Sequence, residues 1–164
     1  MPNASVPEIA PVQVSIVVEA EPELAFEVFT AELDSWWPRS HHIGKSPMTR
    51  SVMEPGVGGR CYSEHEDGSS VQWGKVLAWD PPKSFVMAWQ VSPKWQFEAD
   101  PAQCSEVEVN FTPQGEGHTL VAIEHRHFER HGEGGDVMRS QVGNDAGGWG
   151  GLLKLYKAKV EVAG

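Results

Sequence analysis

Near the start of the chain Val12, Val14, Ile16 and Val18 alternate with Gln13, Ser15 and Val17. A two-residue period sends successive side chains to opposite faces, so this stretch is predicted as a strand with one buried face. The alternation breaks at Glu19, and Pro22 suits the first turn of a helix, where its missing N–H costs nothing. Leu24, Phe26, Val28, Phe29 and Leu33 then keep helical spacing, giving a helix from Pro22 to about Leu33. Asp34 and Ser35 are expected to cap a second short turn that carries Trp36 and Trp37 and ends at Pro38.

From Met48 onward the runs have strand length: Thr49–Glu54, Arg60–Glu64, Ser70–Trp79, Ser84–Val91, Glu106–Thr112 and Thr119–Phe128. Turn chemistry separates most of them, as in Pro55-Gly56, Asp67-Gly68, Asp80-Pro81-Pro82 and Gln114-Gly115. Short links between successive strands imply an antiparallel meander. The stretch from Val91 to Gln103, with Pro93, Trp95, Phe97 and Pro101, reads as a loop with partly buried aromatics.

After Phe128 apolar residues return at helical spacing: Val137, Met138, Val142, Trp149, Leu152, Leu153, Tyr156 and Val160. Asn144 or Asp145 is the expected N-cap of a helix over Ala146–Val160, with Lys154, Lys157 and Lys159 near its negative end. Gly143, Gly147, Gly148, Gly150 and Gly151 crowd its start, and each glycine inside a helix costs about 0.8–1 kcal/mol relative to alanine. Either the helix begins after Gly151, or the glycines form a thin face that lets the backbone approach the sheet. The register of Trp149 with Leu152, Leu153 and Tyr156 favours the thin face. The order of elements predicts one α+β domain: a curved antiparallel sheet of about six to seven strands, two short helices after the first strand, and a long C-terminal helix.

Length fits one domain, with 164 residues and no repeat or long linker: a flexible leader over 1–11 and a single domain over 12–164. A net charge of -10, with no lysine or arginine cluster, argues against nucleic acid and anionic membrane as partners. No apolar run is long enough to insert in a membrane and no export signal is seen, so the cytosol is the expected location. There, Cys61 and Cys104 are expected to stay reduced.

Seven tryptophans are more than a solid core of this size needs, whereas an aromatic-lined pocket uses them naturally. His125 and His127 are expected to share a strand face with Val121 and Ile123, where a histidine is more often a hydrogen-bonded core residue than a ligand. His125, His127, Cys61 and His65 lack compact metal-binding spacing, so no metal is expected. The glycine run has neither a preceding strand nor a lysine–threonine pair, and no cofactor is expected. There is no nucleophile elbow, paired-acid motif or zinc helix; acid–base work by a cavity group, with His125 the first candidate, is the remaining catalytic route.

Several runs carry a family resemblance: Pro22-Glu23-Leu24-Ala25-Phe26-Glu27-Val28-Phe29, Trp36-Trp37-Pro38 with His42-Ile43-Gly44, Trp73-Gly74-Lys75-Val76-Leu77-Ala78-Trp79 with Pro81-Pro82, and Trp89-Gln90. Glu124-His125-Arg126, Glu129 to Gly134, and Gly147-Gly148-Trp149-Gly150-Gly151-Leu152-Leu153 complete it. Together they resemble the bacterial single-domain relatives of the C-terminal domain of the activator of the ninety-kilodalton heat-shock chaperone's ATPase. These fall in the START-like (SRPBCC) superfamily of the birch-pollen allergen and polyketide cyclases. The resemblance implies the helix-grip fold, with the last helix along the open face of the sheet, and a superfamily that binds hydrophobic ligands or cyclises polyketides. The chaperone-activating members carry a further N-terminal domain, which is not found in this sequence.

The leading expectation is therefore a binding protein with an apolar cavity between sheet and helix, its ligand contacted by Trp37, Trp73, Trp89, His125, Trp149 and Leu153. The alternatives are a chaperone-regulating protein that binds a protein partner, and a cyclase-like or hydrolytic enzyme using a cavity histidine.

Overall fold

The computed structural model describes residues 8–163. Its strands are β1 (Val12–Val18), β2 (Met48–Met53), β3 (Arg60–His65), β4 (Ser70–Asp80), β5 (Ser84–Trp89), β6 (Ser105–Pro113) and β7 (Thr119–Arg126). They form one antiparallel sheet in the order β1-β7-β6-β5-β4-β3-β2. The meander runs from β2 to β7, and β1 then closes on β7, with Val12 opposite His125 and Val18 opposite Thr119. Register shifts in β2–β3, β3–β4 and β4–β5 mark irregularities of the kind that bend and twist a sheet. The helices are α1 (Pro22–Thr30), α2 (Gly135–Val142) and α3 (Trp149–Ala163), and a 3-10 turn covers Leu33–Ser35. This is the helix-grip α+β fold.

Alternation decides the faces. In β6 and β7, Val107, Val109, Phe111, Val121, Ile123 and His125 are buried, while Glu106, Glu108, Glu124 and Arg126 face outward. Arg126 bonds Glu106, Glu108 and Glu124 there, and Arg130 reaches Glu106 at 3.0 Å. The inner face is covered by α3, which buries Trp149, Leu152, Leu153, Tyr156 and Val160. Tyr156 pins α3 to α1: its hydroxyl donates to the Ala25 carbonyl at 2.6 Å and its ring meets Phe29 at 5.0 Å. Further along, Lys157 donates to the Val17 carbonyl at 3.0 Å and bonds Glu161, whose carboxylate accepts the Glu19 N–H.

Several local expectations need correction. Asp34 and Ser35 lie inside the 3-10 turn instead of capping it, and the Asp34 carboxylate accepts the Ser51 N–H and pairs with Arg39. The turn starts one residue earlier because Leu33 is drawn into the core. β7 stops at Arg126, and His127, at φ 67°, leaves the face of His125; Phe128, fully buried, opens a 3-10 turn instead. β5 ends at Trp89, with Val91 held by an isolated bridge to Phe97. The last turn of α3 has no basic residue, since the helix runs on to Ala163. The expected leader lies largely outside the described residues. Of its last residues, Ile9 packs against the core and donates to Glu129, and Ala10 and Pro11 accept from Arg139. No described helix is long and apolar enough to cross a membrane.

Both cysteines are free and buried. Burial pushes the Cys61 thiol far up, and burial followed by the nearby Glu98 and Asp100 charges pushes Cys104 up to about 11. A thiol reagent should therefore leave the native protein nearly untouched and titrate both cysteines once denaturant is added; fast labelling of the folded protein would contradict this burial. Leu153→Ala should destabilise by about 2–5 kcal/mol in urea melts, as large-to-small core changes do. Leu155→Ala, at a side chain 47% exposed on the same helix, should stay within about 0.5 kcal/mol.

Candidate ligand-binding cavity

Four tryptophans distant in sequence meet between the sheet and α3. Trp37 follows the 3-10 turn, Trp73 stands on β4, Trp89 ends β5, and Trp149 opens α3. Their indoles close a circuit: Trp37 stacks on Trp73 at 5.3 Å, Trp73 meets Trp89 at 5.9 Å, Trp89 meets Trp149 at 5.9 Å, and Trp149 returns to Trp37 at 6.2 Å. Offset and edge-on contacts at these spacings are favourable geometries for aromatic rings. The four rings line a cavity of about 410 Å³, within the size range of drug-sized ligand sites. Ile43, Val91, Val142 and Leu152 extend the apolar wall, and Ser40, His41, His42, Gln141 and Asn144 supply polar side chains. The indole N–H of Trp89 is buried without an acceptor among the described residues.

Hydrogen bonds fix the wall. The Trp149 indole N–H donates to His125 Nδ1 at 3.0 Å, so that nitrogen carries no proton and Nε2 does. His125 Nε2 then donates to Ser105 Oγ at 2.8 Å, and the same hydroxyl lies 2.8 Å from His131 Nε2. Burial, and secondarily His131, hold His125 well below the ordinary imidazole range, so it stays neutral. On the opposite side the Trp37 indole donates to the His41 carbonyl at 2.9 Å. His41 Nε2 in turn donates to the Gly147 carbonyl at 2.8 Å, joining this segment to the turn before α3. His42 accepts the Gly44 N–H at Nδ1 and meets the His65 ring edge-on at 4.9 Å; burial, then His65, lower its pKa.

The turn before α3 explains the glycine run. Asn144 Oδ1 accepts the Ala146 N–H at 2.6 Å and the Gly147 N–H at 3.2 Å, and the helix proper begins at Trp149. A Cβ on Gly148 would lie 2.3 Å from the Val142 carbonyl oxygen, and one on Gly151 2.2 Å from that of Ala146. The close approach is thus to the chain's own preceding turn and not, as the spacing suggested, to the sheet. Gly147 meets nothing and stays open on the cavity.

Of the expected contact residues, Trp37, Trp73, Trp89 and Trp149 line the cavity. His125 and Leu153 do not. His125 is fully buried beneath Trp89 and Trp149, with both ring nitrogens engaged, so it serves the wall and has no free lone pair for acid–base work. Leu153 points into the core, and its neighbour Leu152, one helical step round, takes the cavity position. His41, His42 and Trp95 were missed because they sit on irregular segments, where periodicity carries no information. Among the described residues no group of three or more His, Cys, Asp or Glu is placed to hold a metal ion.

A family model described as Activator of Hsp90 ATPase homolog 1-like protein matches residues 19–154. Among solved structures, an anthrahydroquino-gamma-pyrone synthase, Txn09, determined as a complex, is 38% identical, with a TM-score of 0.65, 92% of this chain covered and 97% of that one. CalC, a self-sacrificing resistance protein from Micromonospora echinospora, is 29% identical with a TM-score of 0.68, covering 94% of this chain and 96% of that one. A protein from Mesorhizobium loti, 19% identical at a TM-score of 0.63 over 94% of this chain and 98% of that one, shares the fold. No curated protein matches the chain.

The neutral His125 makes stability depend on pH. The unfolded chain takes up a proton near 6.5 while the folded one resists, so the contribution is complete above about 6.5 and is lost as pH falls below it, by up to about 1.4 kcal/mol per pH unit. His131 and His42, also lowered, add in the same direction. Urea melts between about pH 7 and pH 5 should show this slope, and His125→Gln, which keeps an acceptor but does not titrate, should flatten it. An equal slope in the variant would contradict the assignment.

Proposed function

The chain belongs to the family of Activator of Hsp90 ATPase homolog 1-like proteins, and within it we propose that this member binds a largely apolar, ring-containing small molecule between the sheet and α3. The observation that supports this is the closed circuit of Trp37, Trp73, Trp89 and Trp149 around a cavity of about 410 Å³. A solid core would fill such a space with side chains, because cavities left in packed interiors are destabilising. Here two of the indoles, Trp149 and Trp37, are held at its edge by hydrogen bonds to His125 and to the His41 carbonyl. Apolar walls give affinity, and a few polar groups such as His42 and Asn144 orient the ligand.

A second reading, a reaction on the bound molecule, draws support from the synthase that is 38% identical over nearly the whole chain. In that case His41 and His42, which line the cavity, are the groups within reach of a substrate, and His125 is not. The chaperone-regulating reading rests on the family description.

Titration with alizarin, a flat hydroxylated ring compound, should quench tryptophan fluorescence saturably and give a matching calorimetric isotherm. Trp149→Ala should weaken binding by about ten-fold or more, since it removes both a wall and the anchor of the circuit. No saturable response from alizarin or from a wider panel of ring compounds would remove the basis for the binding reading.

A further inference from the structure

We propose that Trp95 is a further ligand-contacting residue, an indole that stacks on the bound molecule at the mouth of the cavity and so selects a planar conjugated ring system. This rests on the binding reading above. Trp95 lines the cavity yet remains 45% exposed, unlike the four buried indoles of the wall. The other tryptophans all pack against an aromatic partner, whereas no described ring lies against Trp95.

Its backbone supports the same conclusion. Trp95 has φ 60°, in the left-handed region that a bulky side chain rarely occupies. Such a conformation persists only where the surroundings over-determine it, and it concentrates at ligand clamps. The surroundings here do so. Ser92 N–H donates to the Gln96 carbonyl and Trp95 N–H to the Ser92 carbonyl, each at 2.8 Å, and Ser92 Oγ accepts the Lys94 and Gln96 N–H groups at 3.3 Å. The Val91–Phe97 bridge closes the base of this tip. From the side it is braced by the start of α2, where a Cβ on Gly134 would lie 2.7 Å from Pro93 Cβ.

A glycine at position 95 would satisfy this tip without strain. The indole there is only half buried and has no aromatic partner, and its position at the cavity gives a reason for it to be held. Ser40, His41, His42 and Asn144, also in the lining, suit a ring system with oxygen substituents at its edge.

The test uses the full chain with alizarin as probe, calorimetry for affinity and thermal melts for folding. Trp95→Ala should weaken binding about ten-fold or more, and Trp95→Phe, which keeps a stacking face, should recover most of the loss. Trp95→Gly, free of backbone strain, should melt no lower than the natural protein and bind as weakly as the alanine variant, which separates loss of contact from loss of fold. If the natural protein binds alizarin and Trp95→Ala binds it equally well, the stacking role is overturned while the binding reading stands. If the natural protein binds neither alizarin nor any other flat ring compound, both fall.

Discussion

The hydrogen bond from the Trp149 indole to His125 joins the helix that closes the fold to the strand beneath it, and the cavity depends on that join. A buried indole N–H without an acceptor costs about 1–3 kcal/mol, so Trp149 has a strong preference for the one orientation in which the bond forms. In that orientation its ring touches both Trp89 and Trp37, and the circuit of indoles closes. The same bond dictates the state of His125: an imidazole that accepts at Nδ1 must be neutral and must carry its proton on Nε2, where Ser105 receives it. His125, the first candidate for acid–base work in the sequence, has both ring nitrogens committed to hydrogen bonds within the wall.

The glycine run and the helix above it serve that join together. Trp149 can be the first residue of α3 only if the chain folds back tightly just before it, and Gly148 and Gly151 permit contacts with the 142–146 segment that any side chain would block. The cost of glycine in the first helical turn is offset further along, where Leu152, Leu153, Tyr156 and Val160 bury a continuous stripe and Tyr156 anchors on α1. The strongly packed half of α3 holds the fold, which leaves its first turn available as cavity wall.

Charge is segregated in the same way. The carboxylates of β6 and β7 gather around Arg126 and Arg130 on the outer face, while the inner face carries the neutral His125 and aromatic rings. The aromatic wall over that face suits the apolar, ring-containing ligand proposed above.

The amino-acid sequence by itself determined the strands, α1 and α3 and their order, and left open whether the stretch that forms α2 is continuous with α3. Alternation in β1, β6 and β7 and the helical stripe from Trp149 to Val160 are local properties, and the turn residues between strands leave an antiparallel meander as the simple connection. Four of the cavity residues were legible too, because an excess of tryptophan in a small domain is itself a signal. Only the tertiary structure decided which side of a wall each residue occupies. Leu152 and Leu153 are neighbours with the same chemistry, and one residue's turn about the helix axis, as α3 is seated on the sheet, puts the first in the cavity lining and leaves the second out of it. His125 lies on the inner face as the alternation requires, but Trp149, which covers it, arrives from 24 residues away in sequence. His41, His42 and Trp95 reach the cavity from irregular segments whose paths are set by long-range hydrogen bonds and by close contacts with other elements, which no local period encodes.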